Sequence, residues 1–167
     1  MAPVPERISW AVAQLPDAER ILEIGCGGGH ALALLCARFP RAEIVAIDRS
    51  ALQAARARAR IGEGHARVEE LALDDAPAAL GAFNAVLAIN VNSFWTDPAP
   101  SFASLSRLLR PAAAAYLVYE PPSDSRLSAL RADLAQHAAA HGFSVDEVRE
   151  TALRASRGVC LVARTTL

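Results

Sequence analysis

The chain contains no lysine and only three cysteines among its 167 residues. Its 17 basic residues are therefore all arginines, and 18 acidic residues bring the formal net charge to −1. A nearly neutral chain has no strong positive field, so we expect neither nucleic acid nor an anionic membrane as a partner. Cys26, Cys36 and Cys160 form no C-x-x-C pair and no even set, which argues against a disulfide framework and against a metal site.

Long apolar runs are missing as well. The longest extends from Ala112 to Tyr119, well short of the roughly 20 residues that a transmembrane helix needs. The first residues also lack the basic-then-apolar pattern of a signal peptide, so we expect a reduced, cytoplasmic protein. Hydrophobic residues make up 53% of the chain, which is enough to bury a core. We therefore expect residues 1–167 to form a single domain.

Short apolar segments alternate along the chain with segments of helical periodicity. A helix over residues 5–15 is predicted as part of an N-terminal helical cap over 1–19. Strands are predicted at 20–24, 43–48, 67–73, 83–90, 112–120, 143–150 and 158–164, with helices between most of them and a loop at 92–98. Continuous apolar strands that alternate with helices are typical of a parallel sheet covered on both faces. The short link between the last two strands predicts an antiparallel pair.

The most informative segment reads Glu-x-Gly-x-Gly-x-Gly and extends from Glu23 to Gly29. It lies where the first predicted strand gives way to a helix. Glycines there allow a sharp turn and let a ligand approach the backbone without meeting a Cβ, and the N–H groups of the helix start favour an anionic group. Asp48 ends the next strand, where a doubly wound sheet would place it beside this turn and able to bind ribose hydroxyls.

Two ligand classes use such a turn. A dinucleotide site needs G-x-G-x-x-G, but the third position holds His30 when counted from Gly25 and Leu32 when counted from Gly27. This mismatch argues against a nicotinamide-dependent oxidoreductase. The segment instead resembles the first motif of the class I S-adenosylmethionine-dependent methyltransferases, in particular small single-domain members of the type 11/12 kind.

This resemblance extends over nearly the whole chain. The Asp74–Asp75 turn resembles the acidic turn that usually meets the adenine amino group, Leu108–Pro111 resembles the segment before the fifth strand, and His141–Phe143 resembles the opening of the sixth. The sequence departs from the family pattern at Asn84, where aspartate is usual, and at Ala112–Ala113, which replace the common Gly-Gly. The resemblance implies an α/β, Rossmann-like, doubly wound seven-stranded sheet, mostly parallel with one antiparallel strand near the C-terminus and helices on both faces.

The resemblance and the sheet geometry together predict a cofactor site and an acceptor site. S-adenosylmethionine is the expected cofactor, and its predicted contacts are Glu23, Gly25, Gly27, Gly29, Asp48, Arg49, Asp74, Asp75 and Asn90. Asn92, Phe94 and Trp95 follow the fourth strand at the edge where open α/β sheets place ligands, so they are the predicted acceptor contacts. Tyr119 and Glu120 end the fifth strand at that edge and are candidates for orienting the acceptor or taking its proton. A packing role for Trp95 and a plain strand end at Tyr119–Glu120 are the alternative interpretations.

The predicted function is methyl transfer from S-adenosylmethionine to a small-molecule acceptor by in-line displacement, with catalysis that depends mainly on alignment. A small molecule is expected because no nucleic-acid-binding or peptide-binding appendage is visible. Little sequence is left to build a lid, so completion of the site by a second copy, in a homodimer, stays open. A non-catalytic cofactor-binding or partner-subunit protein of the same fold is the main alternative function, and an NAD-dependent oxidoreductase is a weaker one.

Overall fold

A computed structural model describes residues 3–166, whose seven strands form one sheet. The strands are β1 Arg20–Ile24, β2 Glu43–Asp48, β3 Ala66–Glu70, β4 Phe83–Ile89, β5 Leu109–Tyr119, β6 Phe143–Ala152 and β7 Arg157–Thr165. Their order is β3-β2-β1-β4-β5-β7-β6. The first five strands pair in parallel, and β7 lies antiparallel between β5 and β6. The predicted sheet, with one antiparallel strand near the C-terminus, is confirmed.

Helices cover both faces of this sheet, as predicted. They are α1 Glu6–Ala13, α2 His30–Arg38, α3 Ala51–Ile61, α4 Ser93–Thr96, α5 Pro98–Leu108 and α6 Asp124–Ala140, with 3-10 turns at Leu73–Asp75 and Ala78–Leu80. Apolar residues of α1, α2 and α3 pack on one face, and those of α4, α5, α6 and the 3-10 turns pack on the other. No helix among residues 3–166 is long and apolar enough to cross a membrane.

Three segments differ from the prediction. The strand predicted at 67–73 ends at Glu70, and Leu73 begins a 3-10 turn instead. The stretch 92–98, predicted as a loop, contains the helical turn α4 because the Phe94 ring is fully buried against Phe102, with ring centroids 5.3 Å apart. The strand β5 starts at Leu109, three residues before its predicted start, because a bulge lets the chain join β4 early: Phe83 pairs with Leu109 and Ala85 with Ala114. A bulge cannot be read from apolar alternation, because it breaks that alternation.

The sheet order defines where a ligand can lie. Chain connections pass from β1 outwards to β2 and β3, and then return across the sheet to β4 on the other side of β1. Helices on either side of this point leave to opposite faces, which opens a crevice beyond the carboxyl ends of β1 and β4. The glycine turn after β1 and the Asn90–Asn92 segment after β4 both lie at this crevice.

Candidate functional site

The three predicted glycines of the turn after β1 have three different surroundings. All have positive φ angles, 67° at Gly25, 50° at Gly27 and 78° at Gly29, which favour glycine. Gly25 is exposed and lines a cavity. A Cβ at Gly27 would meet no atom within 4 Å, whereas a Cβ at Gly29 would lie 2.8 Å from the Cα of Ala57 in α3. Gly29 is therefore required for the packing of α2 against α3.

Asp48 ties the end of β2 to this turn. Its Oδ2 accepts a hydrogen bond from the Gly27 backbone N–H at 2.8 Å, and its Oδ1 accepts one from the Ser50 backbone N–H at 2.9 Å. An ionised carboxylate has about four acceptor positions, so each oxygen keeps a lone pair for a ligand. The side chain is therefore held rigidly in place and still able to accept two further hydrogen bonds.

A cavity of about 400 Å³ lies beyond the carboxyl ends of β1, β2 and β4, and we call it the first cavity. Of the predicted cofactor contacts it is lined by Gly25, Asp48, Arg49, Asp74 and Asn90. Glu23, Gly27, Gly29 and Asp75 are not among its lining residues. Within the acidic turn, Asp74 is therefore the residue that faces this space.

Glu23 lies beneath the glycine turn, not on the cavity wall. Its side chain is almost completely buried, with 3% of the residue exposed, and its Oε2 has no hydrogen-bond partner among the described residues. Burial, with a smaller contribution from the nearby Asp48 carboxylate, raises the pKa of Glu23 to about 8. At neutral pH Glu23 is therefore mainly protonated, so it is not a ready anionic contact for a ligand.

Asn90 connects the ends of β4 and β5. It has a left-handed backbone, with φ 53°, a conformation that asparagine tolerates better than most residues. Its backbone N–H donates to the Val118 carbonyl at 2.8 Å, and its side-chain Oδ1 accepts from the Glu120 backbone N–H at 3.0 Å. These two bonds fix the side chain at the crevice.

A second cavity, of about 460 Å³, lies on the other side of Asn90. It is lined by Asn90, Asn92, Trp95, Tyr119, Glu120, Pro121, Pro122, Arg126, Ala129, Leu130 and Asp133. Asn90 and Asn92 line both cavities, so the two spaces share a wall. Phe94 does not reach either space, because its ring is fully buried against Phe102 in the core.

Tyr119 and Glu120 are both engaged within the protein. The Tyr119 hydroxyl donates to the Val91 carbonyl at 2.6 Å, and burial raises the pKa of this hydroxyl well above its ordinary value. Glu120 accepts from the Ser156 hydroxyl and from Arg7 Nη1, the latter at 2.9 Å. The hydrogen bond from Ser156, followed by that from Arg7, lowers the pKa of Glu120. Neither group is a free proton acceptor.

Sequence reasoning missed the contributions of α6 and of the N-terminal helix. Arg126, Ala129, Leu130 and Asp133 line the second cavity from α6, and Arg7 reaches Glu120 across 113 positions of sequence. Helical periodicity can identify the buried face of such a helix, but no local signal shows that the helix borders a cavity. The Arg7 contact depends entirely on how the chain folds back.

Comparison with known proteins places this geometry in a family. A family profile described as "Methyltransferase domain" matches residues 22–114, more than half of the chain. Two similar curated proteins are the trans-aconitate 2-methyltransferases of Variovorax paradoxus (strain S110), 38% identical over 68 residues, and of Rhodopseudomonas palustris (strain BisA53), 38% identical over 65 residues. These matches cover 41% and 39% of this chain but 26% and 25% of those proteins. The chain thus spans about a quarter of the length of the curated relatives that it matches.

Solved structures show the same fold. The mitomycin 7-O-methyltransferase MmcR has a TM-score of 0.78 at 16% identity, covering 95% of this chain and 53% of that one. The magnesium protoporphyrin IX methyltransferase ChlM from Synechocystis PCC 6803, with bound S-adenosylmethionine, has a TM-score of 0.69 at 20% identity, covering 95% and 76%. The resemblance seen in the glycine motif is thus confirmed: the chain belongs to the methyltransferase-domain family and has the fold of the class I S-adenosylmethionine-dependent methyltransferases.

Proposed function

We propose that this chain binds S-adenosylmethionine in the first cavity and transfers its methyl group to a small molecule held in the second. The observation that carries this proposal is the wall that the two cavities share at Asn90 and Asn92. Cavities of about 400 and 460 Å³ lie within the size range of small-molecule sites. Two such spaces on either side of one strand end suit a cofactor and an acceptor that must meet.

The residues of the first cavity fit the proposed cofactor. The free lone pairs of Asp48 suit a pair of ribose hydroxyls, the Asp74 carboxylate suits an amino group, and the exposed backbone of Gly25 leaves room for close approach. When bound, S-adenosylmethionine supplies a methyl group activated by an adjacent sulfonium. The predicted contacts at Glu23, Gly27, Gly29 and Asp75 have no such support, because these residues do not line the cavity.

The chain contributes alignment and exclusion of water. The Glu120 backbone N–H donates to the Asn90 side chain, and the Tyr119 hydroxyl donates to the Val91 carbonyl. These bonds from the end of β5 fix the shared wall. Arg7 and Ser156 in turn hold the Glu120 carboxylate. We therefore assign Tyr119 and Glu120 a positioning role, and the acceptor has to present a nucleophile that needs no strong base from these residues.

A small-molecule acceptor is supported by the names of the similar proteins, which include trans-aconitate and mitomycin 7-O methyltransferases. We do not carry trans-aconitate itself over to this chain. The ionisable residues on the wall of the second cavity are Glu120, Arg126 and Asp133. Arg7 pairs with Glu120, and Arg126 and Asp133 have opposite charges, so the wall has no excess positive charge to hold a tricarboxylate. Homodimer formation and a cytoplasmic location stay predictions.

Calorimetry with three ligands tests the proposed function. We expect S-adenosylmethionine and S-adenosylhomocysteine to bind and NAD not to bind, with Asp48→Ala weakening both binders by about 1–3 kcal/mol because ribose hydroxyls lose their partners. The control variant is Asp17→Ala, because Asp17 is exposed and lines neither cavity. Binding of NAD in place of S-adenosylmethionine would overturn the proposal. Cofactor binding without methyl transfer to any member of a small-molecule panel would favour the non-catalytic alternative.

A further inference from the structure

The second cavity has both apolar and polar lining residues. Trp95, Pro121, Pro122 and Leu130 are its main apolar lining residues, Asn90 and Asn92 form the wall shared with the first cavity, and Arg126 and Asp133 lie exposed on α6. The arginine and the aspartate that line the cavity from α6 have opposite charges. The wall therefore selects no strongly charged ligand.

The apolar part of this wall offers few free hydrogen-bonding groups. Proline has no backbone N–H to donate, so Pro121 and Pro122 present ring carbons and carbonyls. The Tyr119 hydroxyl is used by the Val91 carbonyl, and the Glu120 carboxylate is used by Arg7 and Ser156. The contacts left to a ligand are mainly ring faces and methylene groups.

Trp95 is the largest apolar side chain exposed at this cavity. It is 40% exposed, whereas the other tryptophan, Trp10, packs against Gly158, where an added Cβ would lie 3.1 Å from a Trp10 ring carbon. A single exposed apolar residue needs no explanation, but a tryptophan that lines a cavity together with two prolines and a leucine offers a large surface for stacking. The indole of Trp95 is therefore available to a ligand.

We infer that the methyl acceptor is a flat aromatic ring system with one polar group, whose ring face stacks on Trp95 and whose polar group lies at Asn90 and Asn92. This inference rests on the proposed function, because the shared wall is where the polar group would meet the methyl donor. The apolar lining residues shield the ring from water, and the amide side chains of the shared wall orient the reacting group. Trp95 determines specificity for planar acceptors.

The test compares two ligands with the same ring skeleton, 2-naphthol and its saturated counterpart decahydro-2-naphthol. Their binding is measured by calorimetry on the full chain saturated with S-adenosylhomocysteine. The wild-type protein should bind the flat ligand about tenfold more tightly, since aromatic faces stack and a puckered ring does not. The inference would be overturned by equal affinities, by tighter binding of the saturated compound, or by no binding of either compound.

Three variants assign the preference to Trp95. Trp95→Leu should lose about three- to tenfold in affinity for 2-naphthol and change little for the saturated compound, while Trp95→Phe should keep most of the preference. Leu52→Ala is the control, because Leu52 is 60% exposed on α3 and lines neither cavity. An unchanged preference in Trp95→Leu would overturn the role of Trp95.

The same titrations separate this inference from the proposed function. S-adenosylhomocysteine is titrated first against every variant, and its affinity should be the same in wild type, Trp95→Leu and Leu52→Ala. If it fails to bind wild type, the proposed function fails. If it binds and the planar ligand shows no advantage, only the inference about the acceptor fails. Even if Trp95→Leu does not fold, the wild-type comparison of the two ligands tests whether the site prefers a planar acceptor.

Discussion

Asp74 and Asp75 are adjacent, exposed and of the same chemistry, yet only Asp74 lines the first cavity. We predict that Asp74→Ala weakens the binding of S-adenosylmethionine and S-adenosylhomocysteine by about 1–2 kcal/mol, the cost of a lost hydrogen bond to a charged group. Asp75→Ala is the matched control and should bind both ligands normally. Calorimetry on the two variants checks this, and equal losses would mean that the turn acts only through its overall charge.

Glu23 should make stability depend on pH in an unusual direction. Its native pKa is raised from 4.5 to about 8, so between these values the folded protein holds a proton that the unfolded chain has released. Folding stability contributed by this site is therefore fully present at low pH and is lost as the pH rises towards 8. Glu23→Gln cannot ionise, so it should be more stable than wild type at pH 8.5, by up to about 5 kcal/mol, and similar to it at pH 4.5.

Urea unfolding at the two pH values measures this difference for Glu23→Gln. The control variant is Glu63→Gln, because Glu63 lies in an exposed turn after α3. It should shift stability little at either pH. A Glu23→Gln effect of the same size at pH 4.5 and pH 8.5 would contradict the account, because a difference in packing alone does not titrate.

The strand β5 contains an alanine, Ala112, whose backbone conformation suits glycine better than alanine. Ala112 has φ 64° at the bulge where β5 joins β4, and this left-handed conformation costs a residue with a Cβ about 1–2 kcal/mol. Ala112→Gly should relieve that strain and stabilise the protein by roughly 0.5–1 kcal/mol after the entropy cost of glycine. The next residue, buried Ala113, has no positive φ, so Ala113→Gly should destabilise. Thermal unfolding that ranks the variants the other way would contradict this.

Two alanine substitutions distinguish the contribution of the glycine turn to stability from that of its packing against the neighbouring helix. Gly29→Ala should place a Cβ 2.8 Å from the Ala57 backbone, so we predict a stability loss of about 2 kcal/mol or more as α2 is pushed from α3. At Gly27 the same change meets no atom within 4 Å, so the loss should be smaller, about 1 kcal/mol for the positive φ. Unfolding midpoints of the two variants check this order, and a larger loss at Gly27 would contradict it.

Across the whole molecule, the sequence predicted those features that depend on a local pattern of residues. The strands β1, β2 and β4 are apolar runs bounded by turn residues, and the parallel order follows from their alternation with helices. Asp48 could be placed beside the glycine turn because the ends of neighbouring parallel strands meet. The structure makes this a direct contact, a hydrogen bond from the Gly27 backbone at 2.8 Å.

What the sequence could not show depends on orientation and on distant contacts. Phe94 and Trp95 are neighbours on the short helix α4, but one fills the core and the other lines the second cavity. A sequence motif likewise does not distinguish Gly29, which packs on α3, from Gly25, which faces the cavity. The contacts of Glu120 with Arg7 and Ser156 join segments that only the finished fold brings together.

In the proposed complex, a cofactor in the first cavity presents its reactive end to the wall shared with the second cavity. A crystal structure of the chain with S-adenosylhomocysteine tests this most directly. We predict ribose hydroxyls on Asp48, the adenine amino group on Asp74, and the sulfur at the side of the cavity formed by Asn90 and Asn92. A ligand whose sulfur points away from these asparagines, or one that occupies the second cavity instead of the first, would contradict the account.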